Sequence, residues 1–199
     1  MPNKRKRYDE EFKRRAVRLS YGSERTVREV SESLGIHENV LFLMIEEVSE
    51  KTIHLAAMIH SLSWQASHQS FCSEEFVSAH TPEMQKKYLR KIINDGAIIY
   101  MLISKGKPVG IISVNKSLIE NLYILPSEQH NGYGTTLLKH AISKCEGKPT
   151  LWVLNNNSAI GFYEKHGFTA TGNVHRLSYD LTEIEFYLHT SCVGLIDHI

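Results

Sequence analysis

The residues best placed to do chemistry stand in EQHNGYGTTLL, residues 128–138, where Gln129, Gly132 and Gly134 are spaced Q-x-x-G-x-G ahead of a run with helical periodicity. Glycine inside a helix costs about 1 kcal/mol relative to alanine, so a pair of glycines is tolerated best where a helix begins. A helix start carries unpaired N–H groups and a partial positive charge, and a missing Cβ lets phosphate oxygens reach them. The motif alone leaves open a loop that needs glycine only for its turn. It lacks the Lys-Ser/Thr pair of a P-loop and the span and downstream acid of a dinucleotide fold. Histidines are frequent, but His54, His60 and His68 fall at spacings unlike those of a ligand pair, and no HExxH occurs, so no metal is expected.

Around this loop the chain reads as helices first, then a strand meander, then alternating helices and strands. Thr81-Pro82-Glu83 is a strong helix start: a capping side chain, a proline in the first turn and an acid near the positive end of the dipole. Met84, Tyr88, Leu89 and Ile92 form its apolar stripe, and Asp95-Gly96 ends it. An earlier helix is expected behind Ser49 as its cap, with Ile53, Ala56, Ala57 and His60 on one side, while residues 61–80 read as irregular. Residues 97–104 and 108–114 flank Lys105-Gly106-Lys107 as the strands of a hairpin. A strand over 118–125, a helix over 132–145, a strand over 150–154 and a helix over 157–165 follow, then strands from Phe168 and over 182–189. The fold class is therefore α/β of the α+β type, a mixed sheet flanked by helices and not a doubly wound one.

Two motifs in this order, the glycine loop preceded by LYILP and then NNSAIGFYEKHGF at 156–168, resemble those of the GNAT acetyltransferases over about residues 44–189. Gln129, Gly132 and Gly134 match that family's pyrophosphate motif; Asn156, Ala159, Tyr163, Gly167 and Phe168 match its second motif. The resemblance implies a mostly antiparallel sheet, acetyl-CoA as co-substrate and transfer of its acetyl group to an amine. It implies that Gln129, His130, Asn131, Gly132, Tyr133, Gly134 and Thr135 cradle the pyrophosphate. The strand bearing Leu122, Tyr123 and Ile124 would pair with the pantetheine arm, and Asn156, Ala159 and Phe162 complete the binding set. Tyr163 is implied as general acid toward the leaving thiolate, with simple packing between helix and sheet as its alternative. A phenol of pKa about 10 is a weaker acid than a free thiol near 8.5, so it would act as a hydrogen-bonding acid. Period-two counting puts Glu120 on the face of Leu122 and Ile124, where it could serve as base for the acceptor amine or stand by as an exposed strand carboxylate. Holding a lysine-like amine neutral at pH 7 costs about 4.6 kcal/mol, which a base or a desolvating pocket must offset. Trp64, His68, Phe71 and Phe76 fall where the family builds its acceptor pocket, or equally in the core.

Bulk properties exclude more than they select. The 199 residues suffice for one ordinary domain plus a small appendage, and no apolar run nears the roughly 18 residues of a membrane helix. The basic N-terminus lacks the apolar stretch of a signal peptide. Cys72, Cys145 and Cys192 are odd in number and scattered, as free thiols in a reducing cytoplasm would be, so a cytoplasmic location without membrane contact is expected. The formal net charge of +1 hides a basic head: residues 1–30 carry ten Lys/Arg against five Asp/Glu, and residues 31–50 carry five Glu and no Lys/Arg. KRKRYDEEFKRRAVRL and TVREVSESLGIHENVL, with helices expected over 8–21 and 26–34, resemble the helix-turn-helix segment of insertion-sequence transposases over about residues 3–41. Beyond it, FLMIEEVSE reads as a greasy, acidic third helix where a DNA backbone would need cations. Two units are expected, a helix-turn-helix-like basic segment at 1–43 and an acetyltransferase domain at 44–199, with Met44 as a candidate ancestral start. DNA stays open as a partner of the head, as do a solvated helical appendage and, for the whole chain, a DNA-binding regulator that senses acetyl-CoA or a scaffold whose loop binds nothing. The acceptor, a small-molecule or peptide amine, is not specified, and the apolar tail 190–199 could support a homodimer.

Overall fold

The computed structural model describes residues 43–70, 72–177 and 181–189, together with Glu29, Glu32 and Ser33, which are helical and exposed. The rest of the head with its expected helices, Phe71, and the tail 190–199 with Cys192 lie outside the described residues. The chain runs β1 (Leu43–Glu47), α1 (Ile53–His68), α2 (Glu74–Ser78), α3 (Pro82–Asn94), β2 (Ile98–Ser104), β3 (Lys107–Asn115), β4 (Leu118–Ile124), a 3-10 turn (Pro126–Glu128), α4 (Tyr133–Ile142), β5 (Thr150–Leu154), α5 (Ala159–Lys165), β6 (Phe168–Arg176) and β7 (Thr182–Leu188). The strands form one seven-stranded sheet in the order β1-β2-β3-β4-β5-β7-β6. Every pairing is antiparallel except β4 with β5, so the sheet is mixed and mostly antiparallel, with helices on both faces.

Helices on both faces explain why β2 and β3 read as continuous apolar runs. In β2, Ile99, Met101 and Ile103 enter the core under α1 and α3, beside Ile53, Ala56, Ile59 and Leu89. Tyr100 and Leu102 enter the core under α4 and α5, beside Ile112, Leu137, Leu138 and Phe186. The β2–β3 connection is a two-residue turn with both central residues left-handed, Lys105 at φ 51° and Gly106 at φ 77°, the geometry whose twist matches that of paired strands. Thr81 caps α3 by accepting from the Met84 N–H at 3.3 Å, with Pro82 in the first turn as its sequence announces.

Three expectations need correction. FLMIEEVSE is not a third helix: residues 43–47 are strand β1, paired antiparallel with β2 in the register Met44↔Ile103, and Met44 and Val48 are buried in the α1/α3 core. A ladder partner distant in the chain, rather than local propensity, decides that segment. Ser49 does not cap the helix directly. A turn intervenes, in which the Ser49 N–H donates to Thr52 Oγ1 at 3.0 Å, and α1 begins at Ile53. Residues 61–68 are not irregular but continue α1, and α2 follows at Glu74–Ser78 behind Ser73 as its cap.

Candidate functional site

Strands β4 and β5 are paired only at Leu118↔Thr150 and Ile119↔Leu151. β5 stays paired with β7 along its other edge to Leu154, and β4 stays paired with β3 to Ile124, so the sheet splits between them. Glu120 is an extra residue at that point: Ile119 pairs with Val114 and Asn121 with Ser113, a β-bulge that bends the strand. A cleft of about 860 Å³ opens in the split.

Its floor is the start of α4. Gly132 holds φ 78° and ψ 0° there, a left-handed conformation, and a Cβ on it would meet nothing within 4 Å. Backbone conformation, not crowding, therefore calls for glycine at 132. The first helical bond of α4 runs from the Thr136 N–H to the Gly132 carbonyl at 3.1 Å, which leaves the N–H groups of Tyr133, Gly134 and Thr135 without a partner inside the helix. A methyl on Gly134 would lie 3.5 Å from the Phe162 ring, an ordinary contact, so its absence frees space in the cleft rather than relieving a clash. The loop ahead of the helix is self-braced. Asn131 Nδ2 donates to the carbonyls of Glu128 (3.1 Å) and Gln129 (3.2 Å), and Gln129 Nε2 donates to the Ile124 carbonyl at 3.3 Å. Ser63 of α1 donates to that same carbonyl at 3.1 Å, which ties α1 to the end of β4. Tyr133 Oη lies 2.8 Å from Ser104 Oγ.

Of the residues expected from sequence, Leu122, Tyr123, Ile124, Gln129, His130, Gly132, Tyr133, Gly134, Thr135, Asn156, Ala159, Phe162 and Tyr163 all line this cleft. Asn131 does not; its amide is spent on the loop. Glu120 does not line it either. The bulge upsets the period-two count: the charged neighbours of Glu120 are Asp95 and Lys91, at the end of α3, and burial holds its carboxyl above the usual range. Its Oε2 is buried and has no hydrogen-bond partner. Tyr163 packs its ring against Phe162 and Phe168, and burial pushes its phenol far above the ordinary value. Burial does the same to Tyr123, whose ring stands 4.6 Å from that of His60.

His60 anchors a buried polar cluster on the α1/α3 side. Its Nε2 lies 3.3 Å from Asn121 Oδ1, and Asn121 Nδ2 donates to Tyr88 Oη (3.2 Å) and Ser113 Oγ (2.9 Å). With the amide oxygen facing it, Nε2 is the protonated nitrogen, and Nδ1 is left as a buried lone pair with no partner. Burial lowers the pKa of His60 to about 4.

Sequence reasoning missed the wall that α1 presents. Ser63, Ala66, Ser67 and Ser70 line the cleft, as do Pro126, Glu128, Asn157 and Ser158. The signal was present, since 63, 66, 67 and 70 follow the i, i+3, i+4, i+7 spacing of one helical face. Trp64, His68 and Phe76 are not among the lining residues. The Trp64 ring is sandwiched between those of His68 and His80, at 3.9 and 3.4 Å between centroids, with Phe76 edge-on. Among the described residues no group of three or more His, Cys, Asp or Glu could hold a metal, and no helix is long and apolar enough to cross a membrane.

Residues 95–170 match the family model described as an acetyltransferase (GNAT) domain, and residues 2–74 match a transposase family model. The second match runs through β1 and α1, further than the resemblance expected to end near residue 41. The peptidyl-lysine N-acetyltransferase YjaB of Escherichia coli is 27% identical over 100 residues, 50% of this chain and 68% of that protein. The Salmonella typhimurium protein of the same name is 35% identical over 68 residues, 34% of this chain and 47% of its own length. Among solved structures, the Thermoplasma acidophilum PaiA N-acetyltransferase with coenzyme A aligns at a TM-score of 0.56 and 22% identity, over 72% of this chain and 97% of that one. Apo YjaB from Escherichia coli aligns at 0.55 and 22%, over 73% and 96%. At such identities the structural matches speak for the fold, and the likeness in sequence rests on the motifs and the domain match. The chain thus joins a segment similar to transposases at its N-terminus to a region over 95–170 that matches the acetyltransferase (GNAT) domain and is similar to peptidyl-lysine N-acetyltransferases.

Proposed function

We propose that the chain transfers the acetyl group of acetyl-CoA to an amine acceptor, in the cleft where β4 and β5 part. The observation that carries this reading is the junction of a long cleft with the N-terminus of α4, opened by left-handed Gly132, and a wall that holds Tyr163. The residues present fit the coenzyme. Unpaired N–H groups at 133–135, with Gln129, His130 and Thr135 beside them, suit a diphosphate. The β4 backbone at Leu122, Tyr123 and Ile124 has no partner strand on its β5 side, which leaves amide groups to bond the pantetheine arm; Asn156, Ala159 and Phe162 line the opposite wall. Asn131 acts indirectly by holding the loop. When bound, the coenzyme supplies an activated thioester.

Tyr163 then serves the leaving sulfur as a hydrogen-bond donor. Its raised pKa keeps the proton on the phenol at any working pH, so it stabilises developing thiolate charge rather than delivering a proton ahead of it. Glu120 is the base for the acceptor amine. It stands off the cleft, so a water must carry the proton, and its raised pKa makes it a better base than a solvated carboxylate. A peptide lysine is the first acceptor to try, because the Escherichia coli relative is named for that substrate. The acetyltransferase unit in this reading runs from about residue 44 onward, a reading that the pairing of β1 with β2 supports.

The test is thiol release from acetyl-CoA with lysine peptides and small amines. Acceptor-dependent release is expected. Coenzyme binding without release for any amine would end the catalytic reading.

A further inference from the structure

We infer that His166 is a positioning residue of the coenzyme cradle, whose protonation decides whether Thr135 can donate a hydrogen bond to the pyrophosphate; this rests on the coenzyme reading above. His166 follows α5 at its C-terminal cap, with its ring 4.5 Å from that of Phe162. Its Nδ1 lies 2.7 Å from the Phe162 carbonyl, which only accepts, so Nδ1 carries a proton. Its Nε2 lies 3.0 Å from Thr135 Oγ1. In the neutral ring Nε2 is then a bare lone pair, and Thr135 must donate its one hydroxyl proton to it.

Thr135 lines the cleft in the first turn of α4. With its proton committed to His166, the hydroxyl turns only lone pairs toward an incoming anion. Protonation reverses the bond. Nε2–H now donates to Oγ1, the hydroxyl proton is released to swing toward a phosphate oxygen, and a positive charge stands one hydrogen bond behind it. Anion binding and protonation of His166 therefore favour each other, and by linkage each strengthens the other by the same factor. Affinity for a diphosphate rises as pH falls.

The other charged or titratable side chains on the surrounding elements are Lys139 and His140 of α4, Tyr163, Glu164 and Lys165 of α5, Glu128 and His130 of the loop, Tyr133 at the start of α4, and His189 beside Gly167. Both ring nitrogens of His166 are taken, so none of these bonds its ring. His130 also lines the cleft, and only a comparison with a variant at 166 separates the two.

Dephospho-coenzyme A is the right probe, because it keeps the pyrophosphate and lacks the phosphate monoester that itself titrates near neutrality. Its Kd is measured by calorimetry at about pH 8 and about pH 5.5, the span in which an imidazole ordinarily takes up its proton. The unaltered chain should bind roughly five- to tenfold tighter at the lower pH than His166→Gln does, each relative to its own value at pH 8. Nitrogen NMR of the His166 ring gives a second readout that needs no variant: the probe should move its titration midpoint upward. A midpoint that the probe leaves in place, or a Gln variant with an unaltered pH profile, overturns the inference and leaves coenzyme binding standing. No binding at either pH overturns both.

Discussion

The two faces of the sheet are packed by opposite means. Under α4 and α5 the core is built of Leu137, Leu138, Ala141, Leu151, Val153, Phe168 and Phe186, with the hydroxyl pair of Ser104 and Tyr133 as a part-buried polar contact beside them. Under α1 and α3 the buried side chains include His60, Ser61, Ser63, Gln85, Ser113 and Asn121 among the aliphatics. Most of these polar groups are spent on named bonds: Ser61 donates to the His80 carbonyl at 2.6 Å, Ser63 to that of Ile124, and Asn121 joins His60, Tyr88 and Ser113. Among the described residues two valences on this face are left over, His60 Nδ1 and Glu120 Oε2, against one on the other, His140 Nε2 beside the Tyr100 ring. An apolar face supports the helix behind the glycine loop by contact, while the loop braces itself with the side chains of Gln129 and Asn131. A polar face keeps groups able to bond a water or a substrate atom, which is what the acceptor side of an acyl transfer requires.

The apolar face should be broken most severely by filling the close approach of β3 to β4 and α4 at Gly110. A Cβ on Gly110 would stand 2.4 Å from Ile124 Cδ1, 2.9 Å from the Tyr123 carbonyl oxygen and 3.2 Å from Leu137 Cδ1. Gly110→Val is expected to destabilise the fold by about 3 kcal/mol, and a chemical melt of the variant with an unshifted midpoint would refute the close approach. On the polar face, Asn121→Ala leaves the His60 Nε2–H and Ser113 without their partner, and should cost about 2 kcal/mol in the same assay. A loss below a few tenths would mean that the cluster is solvated. At the seam between the faces, Tyr163→Phe should lower turnover about tenfold, near 1.4 kcal/mol of barrier, with coenzyme affinity held. Equal turnover in the two proteins would return Tyr163 to a packing role.

What could be read in advance follows the same divide. The proposed coenzyme side is carried by contiguous text: Gln129, Gly132 and Gly134 sit within six residues, and Asn156 to Tyr163 within eight, so local spacing was enough to find residues that line one cleft. The hairpin through Lys105-Gly106 and the cap at Thr81 are local too. The α1/α3 side depends on partners far along the chain. Strand β1 exists because β2 offers it a ladder, and the face of Glu120 depends on a bulge defined only against β3. Ser63, Ala66, Ser67 and Ser70 were hidden for another reason: serine and histidine are indifferent helix formers, so the stretch looked irregular although its spacing was helical.

The smallest effect separates the faces by pH. His60 is neutral when folded, with burial lowering its pKa to about 4 against the opposing hydrogen bond from Asn121. Unfolded, an imidazole titrates near 6.5. As pH falls below about 6.5 the unfolded chain takes up the proton first, so the folded state loses stability progressively down to about pH 4 and no further from this group. Between pH 7 and pH 5.5 the loss from His60 amounts to about 1 kcal/mol. His60→Gln keeps an N–H to offer Asn121 and removes the titration, so its stability should fall less over that interval, by about that amount. Other titrating groups are common to both proteins and cancel in the difference. Parallel curves for the two would place His60 in contact with water, and the α1/α3 face would then be wet at its centre rather than only at the cleft.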